Sequence, residues 1–359
     1  MKNKKLTPII ATTVALMSLP SGLSAEEVTL RAISAFQPGT VFYDPFQAFV
    51  DKVNANGEGL VKIEVIGGPD AMPPFEIGNA LRNGVVDLAN TTAVYHANLV
   101  PEGLAMTLTN HSMSELRDNG GYALMDKLHM DKANIHWLGR LTQNIQYHIY
   151  LSEKPESDDF SGLKIRSAPT YQAFFMALGV SPMQTAAGEV YTALERGAID
   201  GYAWPSIGVF DLGWQEETAV RIDPGFYQVE TGVYFSGKTW ANLDAEQAAF
   251  LNSQMLETEA EAGRFIDLAN AELQRQTDAG IASYELPADA AQDFVAMSVE
   301  EGWKPVLTMR DARWSRWTPA TTLRWTPARL PAPLTGASPS SPNFQMQCRP
   351  TWTSCKTKP

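Results

Sequence analysis

Of the 28 Lys and Arg residues in this sequence, Arg166 holds the position best suited to chemistry. It ends the run Leu163-Lys-Ile-Arg166, which reads as a strand. Ser167-Ala-Pro169 and an amphipathic helix from Tyr171 follow. In open α/β sheets, ligands sit beyond the carboxyl ends of strands, where helix N-termini present positive partial charge. A guanidinium there can hold a carboxylate through two parallel hydrogen bonds. The other reading is a surface arginine paired with a local acid, Asp158 or Asp159. Phe36, Tyr43, Tyr95, Tyr202, Trp204 and Trp214 fall near the same turns. They suit either an apolar wall around a ligand or the cores of the lobes.

Other chemistries lack their residues. The five histidines, His96, His111, His129, His136 and His148, fall in one stretch with no tight metal-pair spacing. They read as structural or surface side chains. There is no Gly-x-Ser-x-Gly elbow, His-Glu-x-x-His helix or phosphate loop. The two cysteines, Cys348 and Cys355, lie near the C-terminus, which excludes a thiolate metal site or catalytic cysteine in the body. A net charge of −12 argues against nucleic acid as a partner. The expectation is a binding protein rather than an enzyme.

The elements that position Arg166 occur twice. The first unit is a strand at Val28–Ile33, a helix at Asp44–Asn54, a strand at Leu60–Ile66, a helix at Phe75–Arg82 and a strand at Val85–Ala89. The second is a strand at Leu163–Arg166, a helix at Tyr171–Leu178, a strand at Val180–Thr185, a helix at Gly188–Arg196 and a strand through Ile199–Ala203. The nearest echo is Ala80-Leu-Arg-Asn-Gly-Val-Val-Asp87 against Ala193-Leu-Glu-Arg-Gly-Ala-Ile-Asp200. In each, a glycine lets the chain leave a helix through positive φ before an apolar strand. Two α/β lobes with a cleft between them follow. From Leu243 to Gly280, apolar residues recur at helical spacing, with Asp244 as N-cap and Gly280 as stop. One helix over 244–280, about 54 Å long at ~1.5 Å per residue, would span both lobes. Two helices broken near Gly263 are the alternative. A helix over Pro287–Trp303 closes the readable fold.

The ends differ in character. Lys2, Lys4 and Lys5, an apolar stretch and small residues up to Ala25 have the layout of a secretory signal peptide, cleaved near Ala25. The expected location is the periplasm, with no stable membrane insertion. Residues 306–359 hold eight of the bases, one acid, eight of the 23 prolines and four of the nine Trp. This basic tail reads either as a disordered arm or as translation in a shifted reading frame.

Over 26–305 the sequence resembles the DctP-type solute-binding subunits of tripartite ATP-independent periplasmic (TRAP) transporters. The matching pieces are Gly162-Leu-Lys-Ile-Arg166, Ala193-Leu-Glu-Arg-Gly-Ala-Ile-Asp-Gly201 and the long helix from Leu243. The resemblance implies an α/β, two-lobed, type II-like periplasmic binding protein. Lobe 1 would cover 26–150 with return segments from about 236–305, and lobe 2 would cover 151–235. It implies capture of a small organic acid, with Arg166 on its carboxylate, for delivery to small and large membrane subunits. Where many members have Gln-Glu-Asn-Pro after the Asp-Gly turn, this chain has Tyr202-Ala-Trp204-Pro205. That resembles a branch binding 2-oxo or 2-hydroxy acids, in which Gln146, the Trp204 carbonyl and Glu230 would coordinate a bridging Na⁺ or Ca²⁺. For Glu230 the other reading is a solvated acid, and for Gln146 an exposed or edge-strand polar residue. The ligand-binding set expected is Arg166, Gln146, Trp204, Phe36, Tyr95, Tyr202 and Glu230. If several aromatics face the cleft, an aromatic or branched acid larger than pyruvate would fit. An exported enzyme acting on a small acid, or a binding protein of an ABC importer or sensor, are the rival readings.

Overall fold

Residues 27–311 are described by a computed structural model. Both the signal-peptide segment with its cleavage point near Ala25 and the tail from 312, with Cys348 and Cys355, lie outside the described residues. In chain order the strands are β1 (Val28–Ser34), β2 (Val61–Gly67), β3 (Leu88–Thr91), β4 (Ile135–Arg140), β5 (Tyr147–Leu151), β6 (Lys164–Ser167), β7 (Ser181–Gln184), β8 (Gly201–Pro205), β9 (Val220–Phe226), β10 (Gly232–Ser236) and β11 (Ala282–Glu285). They form two sheets, ordered β2-β1-β3-β10-β4 and β11-β9-β5-β8-β6-β7.

The duplicated unit is present in the geometry. β2-β1-β3 and β7-β6-β8 have the same parallel order. Gly84 and Gly197 end the equivalent helices at φ +73° and +62°, a region a residue with Cβ enters only at a cost. Each unit is then completed by an antiparallel strand from the other half of the chain. β10 pairs with β3, and β5 pairs with β8. The chain therefore changes sheet three times, through residues 141–146, through residues 227–231 and, by way of the helices after β10, on to β11.

This exchange corrects the expected lobe limits. β5 belongs to the second sheet, so the change falls before 147 rather than near 150. β11, expected with lobe 1, pairs in parallel with β9 in the second sheet. A strand's own residues do not say which sheet it joins; tertiary packing decides that.

Helix Asp44–Asn56 buries Phe46, Phe49, Val50 and Val53, the predicted stripe. It packs on β2 and on helix Ala245–Ala260, whose Leu251 and Met255 are fully enclosed. Burying each of these side chains contributes roughly 1.5–3 kcal/mol. The continuous helix over 244–280 is corrected to two. Ala245–Ala260 starts at the Asp244–Gln247 capping box, and Arg264–Asp278 follows. Between them the chain tightens to i→i+3 bonds, Glu261 N to Thr258 O and Arg264 N to Glu261 O, both 3.2 Å. The first piece packs on β4 and the second on β11, so the pair still reaches both sheets. The closing helix runs Ala288–Asp311 rather than stopping at Trp303. The tail boundary drawn at 306 thus sits inside a helix, with Val306 buried.

Gly263 keeps right-handed φ −56° and ψ −28°, and a Cβ there would meet nothing within 4 Å. Alanine fits the same backbone and restricts the unfolded chain. Gly263→Ala is expected to raise stability by about 0.4–1 kcal/mol; urea denaturation showing a loss instead would mean that the break needs glycine.

Candidate ligand-binding site

Residues at or just beyond the carboxyl ends of β1, β3, β6 and β8 line one partly open cavity. Phe36, Phe42 and Tyr95 come from the first sheet's loops, and Arg166, Tyr171 and Trp204 from the second's. The crossover before β10 supplies Val229, Glu230 and Thr231. The halves touch on either side of it. Thr107 Oγ1 meets Thr170 Oγ1 at 2.6 Å, and the Val41 amide donates to Asp211 Oδ2 at 2.8 Å.

Arg166 is 1% exposed. The parallel register sets Arg166 beside Tyr202 on β8, which brings the next carbonyl, that of Ala203, within reach. Nη1 donates to Ala203 O at 3.3 Å and to the Tyr171 hydroxyl at 3.2 Å, while Nε donates to Thr185 O at 3.1 Å. The guanidinium carbon lies 5.3 Å from the Trp204 ring centroid, a cation–π contact. Nη2 is buried and has no hydrogen-bond partner. A charged donor left in this state is costly, by about 1–3 kcal/mol or more. The pairing with Asp158 or Asp159 does not occur. Asp158 accepts from the Tyr284 hydroxyl and Asp159 from the Ser161 amide. The free part of the guanidinium is one nitrogen, so two parallel bonds are not on offer without displacing Tyr171 or Ala203.

Glu230 is fully buried, not a solvated acid. Oε1 accepts from the Tyr234 hydroxyl at 2.8 Å. Oε2 accepts from the Ala93 amide at 2.9 Å and from Thr92 Oγ1 at 3.1 Å. Burial pushes its carboxyl above the usual range, and the charge of Arg140 opposes this. Burial likewise raises the Tyr171 phenol, to about 12.

The expected residues divide. Arg166, Trp204, Phe36, Tyr95 and Glu230 line the cavity; Gln146 and Tyr202 do not. Tyr202 sits two residues deeper on β8, stacked on Tyr150 at 5.0 Å and hydrogen-bonded to Thr218. Gln146 is half-buried at the first crossover, its carbonyl accepting from the Ser206 amide. Of the expected cation set, Trp204 and Glu230 are thus lining residues and Gln146 is not. Among the described residues, no group of three or more His, Cys, Asp or Glu could hold a metal. Tyr43 bonds to Gln47 beside the cavity, and Trp214 packs edge-on behind Trp204 at 4.7 Å. Phe42, Tyr147 and Tyr171 were missed as wall residues. Phe42 and Tyr171 each lie a few residues past a strand end, and that spacing was the available signal.

The family model for bacterial extracellular solute-binding protein, family 7 (DctP), matches residues 34–304. The chain belongs to this family. A monocarboxylate 2-oxoacid-binding periplasmic protein of Nostoc is 26% identical over 182 residues, 47% of this chain and 49% of that protein. The chain thus matches about half the length of that relative. A solute-binding protein of Roseobacter denitrificans is 21% identical over 84% of this chain and 97% of its own. Its crystal structure with L-galactonate aligns with TM-score 0.67 at 18% identity, covering 79% of this chain and 98% of that one. A TRAP transporter solute-binding protein of Bordetella bronchiseptica, with calcium and picolinate in its site, aligns with TM-score 0.70 at 20% identity, covering 81% and 91%. At these identities the structural likeness carries the two-lobed fold.

This family 7 protein also buries a histidine pair behind the cavity wall. His96 and His129 are fully enclosed, with Nε2 to Nε2 at 3.2 Å. These two histidines, 33 positions apart in the sequence, thus meet in the fold. His129 Nδ1 lies 2.9 Å from the Met125 carbonyl, which can only accept. His129 Nδ1 therefore carries the proton, and His96 Nε2 donates across the pair. Around them lie the Tyr234 ring, Asp126 and the Glu102–Lys132 ion pair. Burial holds His129 near 4 and His96 well below its usual value. The unfolded chain protonates these rings near 6.5 and the folded chain does not, so their stabilisation is complete above 6.5 and lost on acidification. Lowering the pH from 7 to 5 is expected to remove about 2 kcal/mol for His129 alone. Urea denaturation at the two pH values checks this; equal stability would contradict it.

Proposed function

We propose that this protein captures a small organic acid in the periplasm and delivers it, unchanged, to the small and large membrane subunits of a TRAP transporter. The observation that carries this reading is Arg166 Nη2, buried in the cavity without a partner. A carboxylate oxygen arriving there forms a charge-assisted bond that no protein group makes. The strand ends of both sheets meet at that point, so closure about the two crossovers encloses the ligand. Support also comes from the relatives, whose ligands include 2-oxoacids, galactonate and picolinate. Among the described residues, no helix is long and apolar enough to cross a membrane, which agrees with a separate membrane partner.

A cation bridging the ligand is the finer reading that the Bordetella relative raises. Gln146 stands outside the lining, and Glu230 already takes three donors. No step is therefore routed through a metal.

Calorimetry with pyruvate, picolinate, succinate and D-glucuronate, with recovery of each acid unchanged, tests capture without turnover. Arg166→Ala is expected to weaken the tightest of these by about 2–5 kcal/mol, since the other members of a buried charge network lose their partner. Unchanged affinity in that variant would remove Arg166 from the site. EDTA is expected to leave the wild-type affinity unaltered; a loss restored by calcium would bring the bridging cation back.

A further inference from the structure

We infer that the ligand is a monocarboxylate with a flat ring body, rather than a dicarboxylate or a polyhydroxy sugar acid; this rests on the carboxylate reading of Arg166. The charged residues lining the cavity are Arg166 and Glu230 alone. One cation with one free nitrogen matches one carboxylate. A second carboxylate would stand among aromatic rings in the company of Glu230, with no base to meet it.

The hydroxyls of the lining are largely committed. Thr92 Oγ1 donates to Glu230 and accepts from the Val94 amide at 3.2 Å. Thr231 Oγ1 pairs with Thr142 Oγ1 at 3.0 Å. The Tyr171 hydroxyl accepts from Arg166 and donates to Ala203 O. The Tyr95 phenol already lies within hydrogen-bond reach of Arg166, which leaves Tyr147 as the remaining hydroxyl of the lining. The Trp204 indole nitrogen is buried without a partner and is one further donor beside the lining. One phenol and one indole N–H can meet one ring nitrogen or one oxo group. They cannot replace the water around the four or five hydroxyls of a sugar acid.

The walls suit a ring. From the first sheet's side come Phe36, Phe42 and Tyr95, with Phe36 at 5.5 Å from Phe42 and 6.2 Å from Tyr95. From the second come Tyr147, Tyr171 and Trp204, with Tyr147 at 5.5 Å from Tyr171. Phe42 meets Trp204 edge-on across the cleft at 6.0 Å. A planar body that parts this Phe42–Trp204 contact gains aromatic contacts on both faces.

The test is calorimetry on the full chain at pH 7 with benzoate, picolinate, succinate and D-galactonate, repeated with Arg166→Ala. Benzoate and picolinate are expected to bind at least about tenfold tighter than the other two, and to lose that affinity in the variant. Succinate or galactonate binding as tightly as the ring acids, and losing it in the variant, would overturn this inference and leave the carboxylate reading standing. Binding of none of the four, or binding that survives Arg166→Ala, would remove the carboxylate reading and the inference with it.

Discussion

A guanidinium taken out of water needs its donors met, and the second sheet meets all of Arg166 but one nitrogen. The three oxygens it uses come from Thr185, Tyr171 and Ala203, three separate points around the β6–β8 unit. The Trp204 ring covers a further side. This fixes the side chain before any ligand arrives, so little side-chain freedom is left to lose on binding. The unmet nitrogen is then a defect whose natural remedy is an anion. The arrangement holds only while β8 stays in parallel register with β6, because a slip would withdraw the Ala203 carbonyl.

The strand exchange ties this site to the rest of the molecule. β5 and β10 each complete the sheet of the other half, so the two halves are joined by two short crossovers and by the helical return to β11 rather than by one linker. Glu230 sits on one crossover and Gln146 on the other. Glu230 is anchored to Ala93 and Thr92 of the first half, and so fixes that crossover to the loop after β3. The Thr107–Thr170 and Val41–Asp211 bonds then hold the halves together on either side of the cavity. Closure is thus read out by ordinary hydrogen bonds that an open form must break. Behind them, the neutral His96–His129 pair supports Tyr234, which in turn holds Glu230.

Features set by local chemistry were legible in the sequence. Gly84 and Gly197 marked equivalent helix exits because positive φ is a local demand. Arg166 was found because a strand tip before a helix is a local pattern. Asp244 was read as an N-cap and is one. Features decided by distant packing were not legible. Sheet membership of β5 and β11 depends on which edge is open. The break at Glu261–Gly263 leaves the backbone right-handed, so its composition hardly differs from that of a continuous helix. Trp204 and Tyr202 share one strand and one aromatic character, yet two residues of depth separate wall from core. His96 and His129 are 33 positions apart, and the docking of helix Gly121–Ala133 makes them a pair.

The whole chain carries −12, and residues 26–305 hold 17 bases against 39 acids. Such a surface repels the very anion that Arg166 is placed to receive. At physiological salt, screening reduces this beyond about 8 Å, whereas a dry cavity is screened far less. Inside, the field is set by near neighbours. Arg166 and Glu230 balance, and a carboxylate bound to Arg166 leaves the cavity at one net negative charge. The charge of Arg140, itself buried and acting on Glu230, lies just behind and offsets that excess. On the proposed reading, capture is a short-range event governed by two buried arginines and one buried glutamate, and the acidic exterior has little say in it.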